Sequence, residues 1–359
     1  MATILLNPAC DRCGCTGTTD VIYMGGDFQF LNGLNRRFAR KIDEDGLQIA
    51  TWNPDLNNEV FAICYDSSDQ LVYLGGEFTT AGGSTRRGIC AVDPTTGVVR
   101  SFVADVNVGA AVRAIVTLNG VVYFGGDFTT VNGTARNRAA AVSSDGVLQS
   151  WNPNLNGRVN TMAVAEGDIY LGGEFTTVNG GASTRRRVAG FETDGTLLSF
   201  DPNCGSSVEA MIAVDDKLYF VGAFVTVAGG AITRNHAAAY DTDGTLQSWD
   251  PNTDLTASAI HHDEGIFYMG GSFTTVGGST RNRAAAVDAD GTLQSWNPNL
   301  DGGCLAIAAG EDVIYLGGTW NTIGGTSQAR AAAVDKSAGT LQTWNPAPDA
   351  AVNALVLKP

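Results

Sequence analysis

One short word recurs along the whole chain and leaves little freedom in what it can fold into. Its clearest copy is Asp168-Ile-Tyr-Leu-Gly-Gly-Glu-Phe-Thr-Thr-Val-Asn-Gly180. A tyrosine stands just before the glycine pair, or its remnant, at Tyr23, Tyr73, Tyr123, Tyr170, Tyr219, Tyr268 and Tyr315. The steps between these seven copies are 50, 50, 47, 49, 49 and 47 residues. An aromatic follows each copy at Phe28, Phe78, Phe128, Phe175, Phe224, Phe273 and Trp320. A fixed period in this range marks a repeat architecture, because a unit this short cannot bury a core alone and must stack on its neighbours. The 359 residues are therefore expected to form one stacked body and not two or three separate domains.

One copy shows what each unit contains. Val159 to Ala165 is a short apolar strand, and Glu166-Gly-Asp168 a tight turn. Ile169 to Phe175 is a second strand, whose glycine pair implies close approach of another backbone. A polar loop leads to a third strand, Arg187 to Glu192. Thr193-Asp-Gly-Thr196 is a hairpin turn, since Asp-Gly supplies the positive φ such a turn needs. Leu197 to Phe200 is a fourth strand, stopped by Pro202, which cannot donate to a ladder. No helical pattern occurs. Four-stranded antiparallel sheets repeated in this way predict an all-β, seven-bladed β-propeller. The fourth-strand aromatics give the same count: Trp52, Phe102, Trp151, Phe200, Trp249, Trp296 and Trp344.

The two ends fit one another. The first copy has no strand before Asp20, and the last is followed by an extra one, Ala351 to Leu357. That segment matches Val159-Asn-Thr-Met-Ala-Val, so it is expected to complete blade one beside Val21 and close the ring. The predicted organisation is an arm over residues 1–19 and a propeller over 20–359, with 351–357 finishing the first blade.

The repeated words resemble the delta-60 type propeller repeat, a family named mainly as a domain of unknown function in bacterial and phage proteins and distantly similar to kelch repeats. The shared pattern runs from Ile-Tyr-x-Gly-Gly-acid-Phe-Thr-Thr-Val through Arg-Asn-Arg-Ala-Ala-Ala-Val to Asp-Gly and Trp-Asn-Pro-Asn, as at 122–154. The resemblance covers about residues 20–357. It implies a binding or structural propeller, in some members virion-associated, without a defined active site. Val221-Gly-Ala-Phe224 departs from the word, which predicts a slightly irregular fifth blade.

Charge narrows the partners. The net charge of −15 argues against nucleic acid, whose phosphates need a basic face. No apolar run approaches a membrane span, and the N-terminus lacks the basic start of a secretion signal. The protein is thus expected to remain where it is made or to leave by lysis.

Candidate chemistry is sparse. An acid precedes the loop at Asp27, Glu77, Asp127 and Glu174, and an arginine follows it at Arg36, Arg86, Arg136, Arg185, Arg234 and Arg281. The structural expectation is that acid and arginine pair across the loop. The functional one is a ring of basic side chains for an acidic glycan or a carboxylate-bearing partner, built from Arg136, Arg138, Arg185, Arg187, Arg281 and Arg283. Asp-x-Asp-Gly turns such as 241–244 offer too few oxygens for a calcium loop. Cys10, Cys13 and Cys15 lie close enough to hold zinc with a fourth ligand from elsewhere; a disulfide or reduced thiols in a docking arm is the competing reading. Cys304 aligns with Val159 and reads as core, and His261-His262 as a rim turn. No Ser-His-Asp or Cys-His arrangement can be assembled. The expectation is a non-enzymatic structural or interaction module, docked to a protein partner or larger assembly such as a virion capsid or tail through residues 1–19. A carbohydrate-binding propeller is the alternative, and an enzyme with its site at the channel mouth a third.

Overall fold

The computed structural model describes residues 21–35 and 37–358. Its plan is seven three-stranded antiparallel sheets, each accompanied by a two-stranded hairpin. In the fourth unit Asp168–Gly173 pairs with Val159–Ala165 on one side and Val188–Phe191 on the other. The Asp-Gly and Glu-Gly turns explain the tight connections: Glu166 has φ +51° and Gly167 φ +85°. The polar loop after the second strand closes on itself as the hairpin Thr177–Val178 with Ser183–Thr184.

The first sheet joins the two ends of the chain. Val352–Lys358 pairs with Val21–Gly26 from Val21 opposite Lys358 to Gly26 opposite Val352, as the end-matching predicts. The same strand lies beside both Val60–Asp66 and Cys304–Ala309, the inner strands of units two and seven.

The expected fourth strand is a correction. Leu197 makes one isolated bridge, to Phe191, and the same single bridge recurs in the other units, as at Val142–Leu148 and Val287–Leu293. The segment leaves the ladder after that bridge as its aromatic turns into the core, and unit two does so with Ala104 where the other units have proline. What it keeps is two backbone bonds, Glu192 N to Thr196 O and Leu198 N to Gly190 O, each 2.9 Å.

Aromatic side chains bind each unit internally and to the next. Every repeat tyrosine packs on the aromatic of its own fourth segment at 5.0–5.4 Å between centroids, most of them edge-on. Where that aromatic is tryptophan, its indole N–H donates to a carbonyl in the following unit. Trp52 reaches Asp93 O and Trp151 reaches Glu192 O. Trp344, in the last unit, reaches Asp43 O of the first at 3.0 Å.

The glycine pair explains the close stacking. A Cβ on the second glycine would stand 2.0–2.3 Å from the backbone carbonyl oxygen that precedes the adjoining inner strand, in all seven units from Gly26 to Gly318. Nothing but glycine fits there. The first glycine faces a side chain instead, as Gly172 faces Val208 Cγ1 and Gly317 faces Val352 Cγ1. This resolves the fifth unit. Val221 stands at the first-glycine position, and the residue in the place of Val208 and Val352 is Ala257. Both lie in one buried cluster. The ladder there keeps the register of the other units, so the expected irregularity is absent: the volume added at 221 is removed at 257.

Candidate functional site

The six arginines of the predicted basic ring serve the frame. Arg136, Arg185 and Arg281 each donate from Nη1 to the preceding residue's carbonyl. From Nη2 they donate to Gln149 O, Leu198 O and Gln294 O at 2.8–3.0 Å. They clasp the loop to the fourth segment of their own unit. Arg138, Arg187 and Arg283 sit at left-handed corners, φ +69°, +73° and +68°, and reach back to the carbonyls of Asp127, Glu174 and Ser272. The expected pairing of loop acid with following arginine is thus corrected. The guanidinium groups bond backbone oxygens, and Arg185 has its nearest carboxylate at Asp201, 3.8 Å away. Arg36, Cys10, Cys13 and Cys15 lie outside the described residues.

The remaining sequence candidates are structural where they are described. Cys64, Cys90 and Cys304 are buried free thiols, and burial pushes each up to about 12. His261 is buried and accepts from Ala309 N at 3.3 Å, so it belongs to the core and not to a rim turn. His262 packs on Phe267, and burial lowers its pKa. The acidic turns fold on themselves, as where Asp288 Oδ1 accepts from Asp290 N and Thr292 N.

A different set of side chains comes together at the start of the inner strands. One residue there is skipped by the register in every unit: Asn353, Phe61, Arg113, Asn160, Glu209, Ser258 and Leu305 in units one to seven. No two neighbours share a chemistry, although the strands that carry them are near copies. A bulge of this kind re-aims one side chain without disturbing the ladder. The loop acids Asp27, Glu77, Asp127 and Glu174 border the same rim in units one to four, and Ala223, Ser272 and Thr319 replace them in units five to seven.

These side chains link unit to unit. Asn353 donates to Glu59 Oε1 at 2.7 Å and to Val60 O. The Arg113 guanidinium lies 4.4 Å over the Phe61 ring, with Asp127 at 3.5 Å and Glu77 at 3.9 Å. Arg158 pairs with Glu174 and donates to Asn160 Oδ1 at 2.9 Å. Asn160 passes the chain on to Glu209 Oε2 at 3.0 Å, and Ser207 Oγ donates to the other Glu209 oxygen at 2.6 Å. Burial holds the Glu59 carboxyl above the usual range; the Asn353 bond opposes this, and Asp27 and Glu77 add to it. The rim is therefore polarised: ionic groups run from Asp27 in unit one to Glu209 in unit five, and Ser258, Ser272, Leu305 and Thr319 hold these positions in units six and seven. Fixed charges in such an arc suit recognition of a partner that carries both signs.

No family model matches the chain, and no curated protein does. Solved structures do. A computationally designed protein, Ika8, is similar over 93% of this chain and 91% of its own, with 15% identity and a TM-score of 0.56. The WD40 β-propeller domain of Doa1 is similar over 83% of this chain and 85% of its own, with 14% identity and a TM-score of 0.56. Such likeness speaks to fold alone: repeated antiparallel sheets in the manner of a β-propeller, with about seven blades.

Proposed function

We propose that the chain is a non-enzymatic interaction scaffold, a closed disc of seven blades over residues 20–359 that engages a protein partner at the polarised rim. Closure is supported by the pairing of Val352–Lys358 with Val21–Gly26 and by the Trp344 bond to Asp43. Likeness to propeller domains supports a scaffold role. One observation carries the reading: side-chain chemistry changes from blade to blade at the skipped position while the frame around it repeats. A rigid face with a non-repeating pattern on it is what selective docking requires. Tethering to a larger particle through residues 1–19 is the finer form of the same reading.

Affinity capture from the native source tests it, with three full-length baits. The first is the wild type. The second carries Glu77→Gln, Asp127→Asn and Glu174→Gln at the rim. The third carries Glu44→Gln and Asp290→Asn on the opposite, acidic-turn side. Partners held by the first and third baits and lost from the second are the expected result. A rim variant that retains every partner overturns the reading.

A further inference from the structure

Unit one departs from the repeat in a second place, away from the rim. Arg40 stands where unit three has Ala140 and unit seven has Ala332, and it is only 3% exposed. Arg37 and Asp55 stand where three other units carry an asparagine pair. Those pairs, Asn137–Asn154, Asn235–Asn252 and Asn282–Asn299, are each bridged at 2.8 Å and tie the loop to the segment after the fourth-strand aromatic. In unit one Arg37 Nε turns to Asn35 Oδ1, 3.3 Å away. Where the bridge would stand there is a cavity of about 440 Å³ between the loops of units one and two.

The lining of this cavity is chemically specific. The residues that line it include two arginines, Arg37 and Arg40, two asparagines, Asn35 and Asn53, the acid Asp55 and the apolar Leu56. Arg40 Nη1 donates to Asn53 Oδ1 at 2.7 Å and to Trp52 O at 3.1 Å, which fixes the guanidinium in place before any ligand arrives. We propose that the cavity binds an acidic sugar residue, with its carboxylate on Arg37 and Arg40 and its ring hydroxyls on Asp55 and the carboxamides. A guanidinium fork matches a carboxylate. The carboxamide oxygens already accept from Arg37 and Arg40, so these side chains meet ring hydroxyls as N–H donors, and the Asp55 carboxylate meets them as acceptor. Asp55 also disfavours a dianion: it repels phosphate more strongly than a monocarboxylate. The volume lies within the range of small-molecule sites. The inference stands apart from the scaffold reading, since it uses none of the rim residues.

Ligand-observed NMR on the full-length protein tests it. The probes are D-glucuronate, D-galacturonate and N-acetylneuraminate, with D-glucose and inorganic phosphate as controls. Saturable, millimolar binding of at least one acidic sugar is expected, with both controls weaker by roughly tenfold or more. The pair Arg37→Asn with Asp55→Asn rebuilds the bridge that unit three already has and is expected to abolish binding with the fold intact. Arg37→Ala, at an exposed position, is expected to weaken binding by about tenfold or more. Absence of saturation with all three acids overturns the proposal, as does phosphate binding equally well or undiminished binding by the rebuilt-bridge variant.

Discussion

The junction between units five and six and the rim of the inner strands both depart from the repeat, and they do so in opposite ways. At the junction, Val221 replaces glycine and Ala257 replaces valine on the facing strand, and the ladder keeps its register. The departure is compensated, so the frame is unchanged. At the rim, Glu59 takes the place of Ala111 and Ser207 in other units, and its carboxyl is held above the usual range by burial. That departure is compensated only in part, by the Asn353 bond to Glu59 Oε1. Variation that the fold has repaired speaks of packing history. Variation that the fold carries at a cost speaks of a use for the side chain.

The largest expected effect separates the two glycines of one pair. Gly173→Ala puts a Cβ 2.1 Å from Arg158 O, a backbone atom that moves only with the whole inner strand. Loss of the folded state, or destabilisation above about 4 kcal/mol, is expected on denaturant unfolding. Gly172→Ala meets the ends of two side chains, Thr161 Cγ2 and Val208 Cγ1, which can shift. It should cost about 1–3 kcal/mol. Equal losses for the two would show that backbone approach is not what demands the second glycine.

Compensation at the junction predicts a coupling. Ala257→Val alone places two valines where five of the other six junctions have one valine facing glycine, and should cost about 1–3 kcal/mol. Adding Val221→Gly recreates the pairing of Gly172 with Val208, and should recover most of that loss. A double-mutant cycle with a coupling energy of about 1 kcal/mol or more is expected. Additive losses would mean that the two sites do not sense one another and that the fifth unit is regular for some other reason.

The contrast also explains which parts of the fold are legible in the sequence. The period, the glycine pair and the matching ends are carried by residue types that recur, so the seven units and the pairing of Val352 with Gly26 were legible. The fourth strand is not legible in this way, because Leu197 to Phe200 has strand composition yet leaves the ladder after one bridge. The arginines' role is hidden in the sequence because their partners are backbone carbonyls: Gln149 O and Leu198 O, thirteen residues onward, have no residue type to announce them. The rim is hidden for the opposite reason. Phe61, Arg113, Asn160 and Glu209 share no chemistry, so a search for recurring residues passes over them. The available signal was the lack of recurrence in one column of an otherwise repeating frame.

The rim carries the smallest expected effect and the most informative sign. Glu59 titrates higher in the folded chain than in the unfolded one, so between those two values the folded state binds more protons. Its contribution to stability therefore falls as pH rises from the ordinary glutamate value of about 4.3 through the raised folded value, and stays low above it. Glu59→Gln removes this cost and leaves an oxygen that can still accept from Asn353. The variant should melt slightly higher than the wild type near neutral pH and no higher below about pH 4, where the carboxyl is protonated in both states. Thermal melts across that range check it. A variant less stable at every pH would make Glu59 part of the frame, repaired like the junction at Val221, and would remove the argument that the rim is kept for a partner.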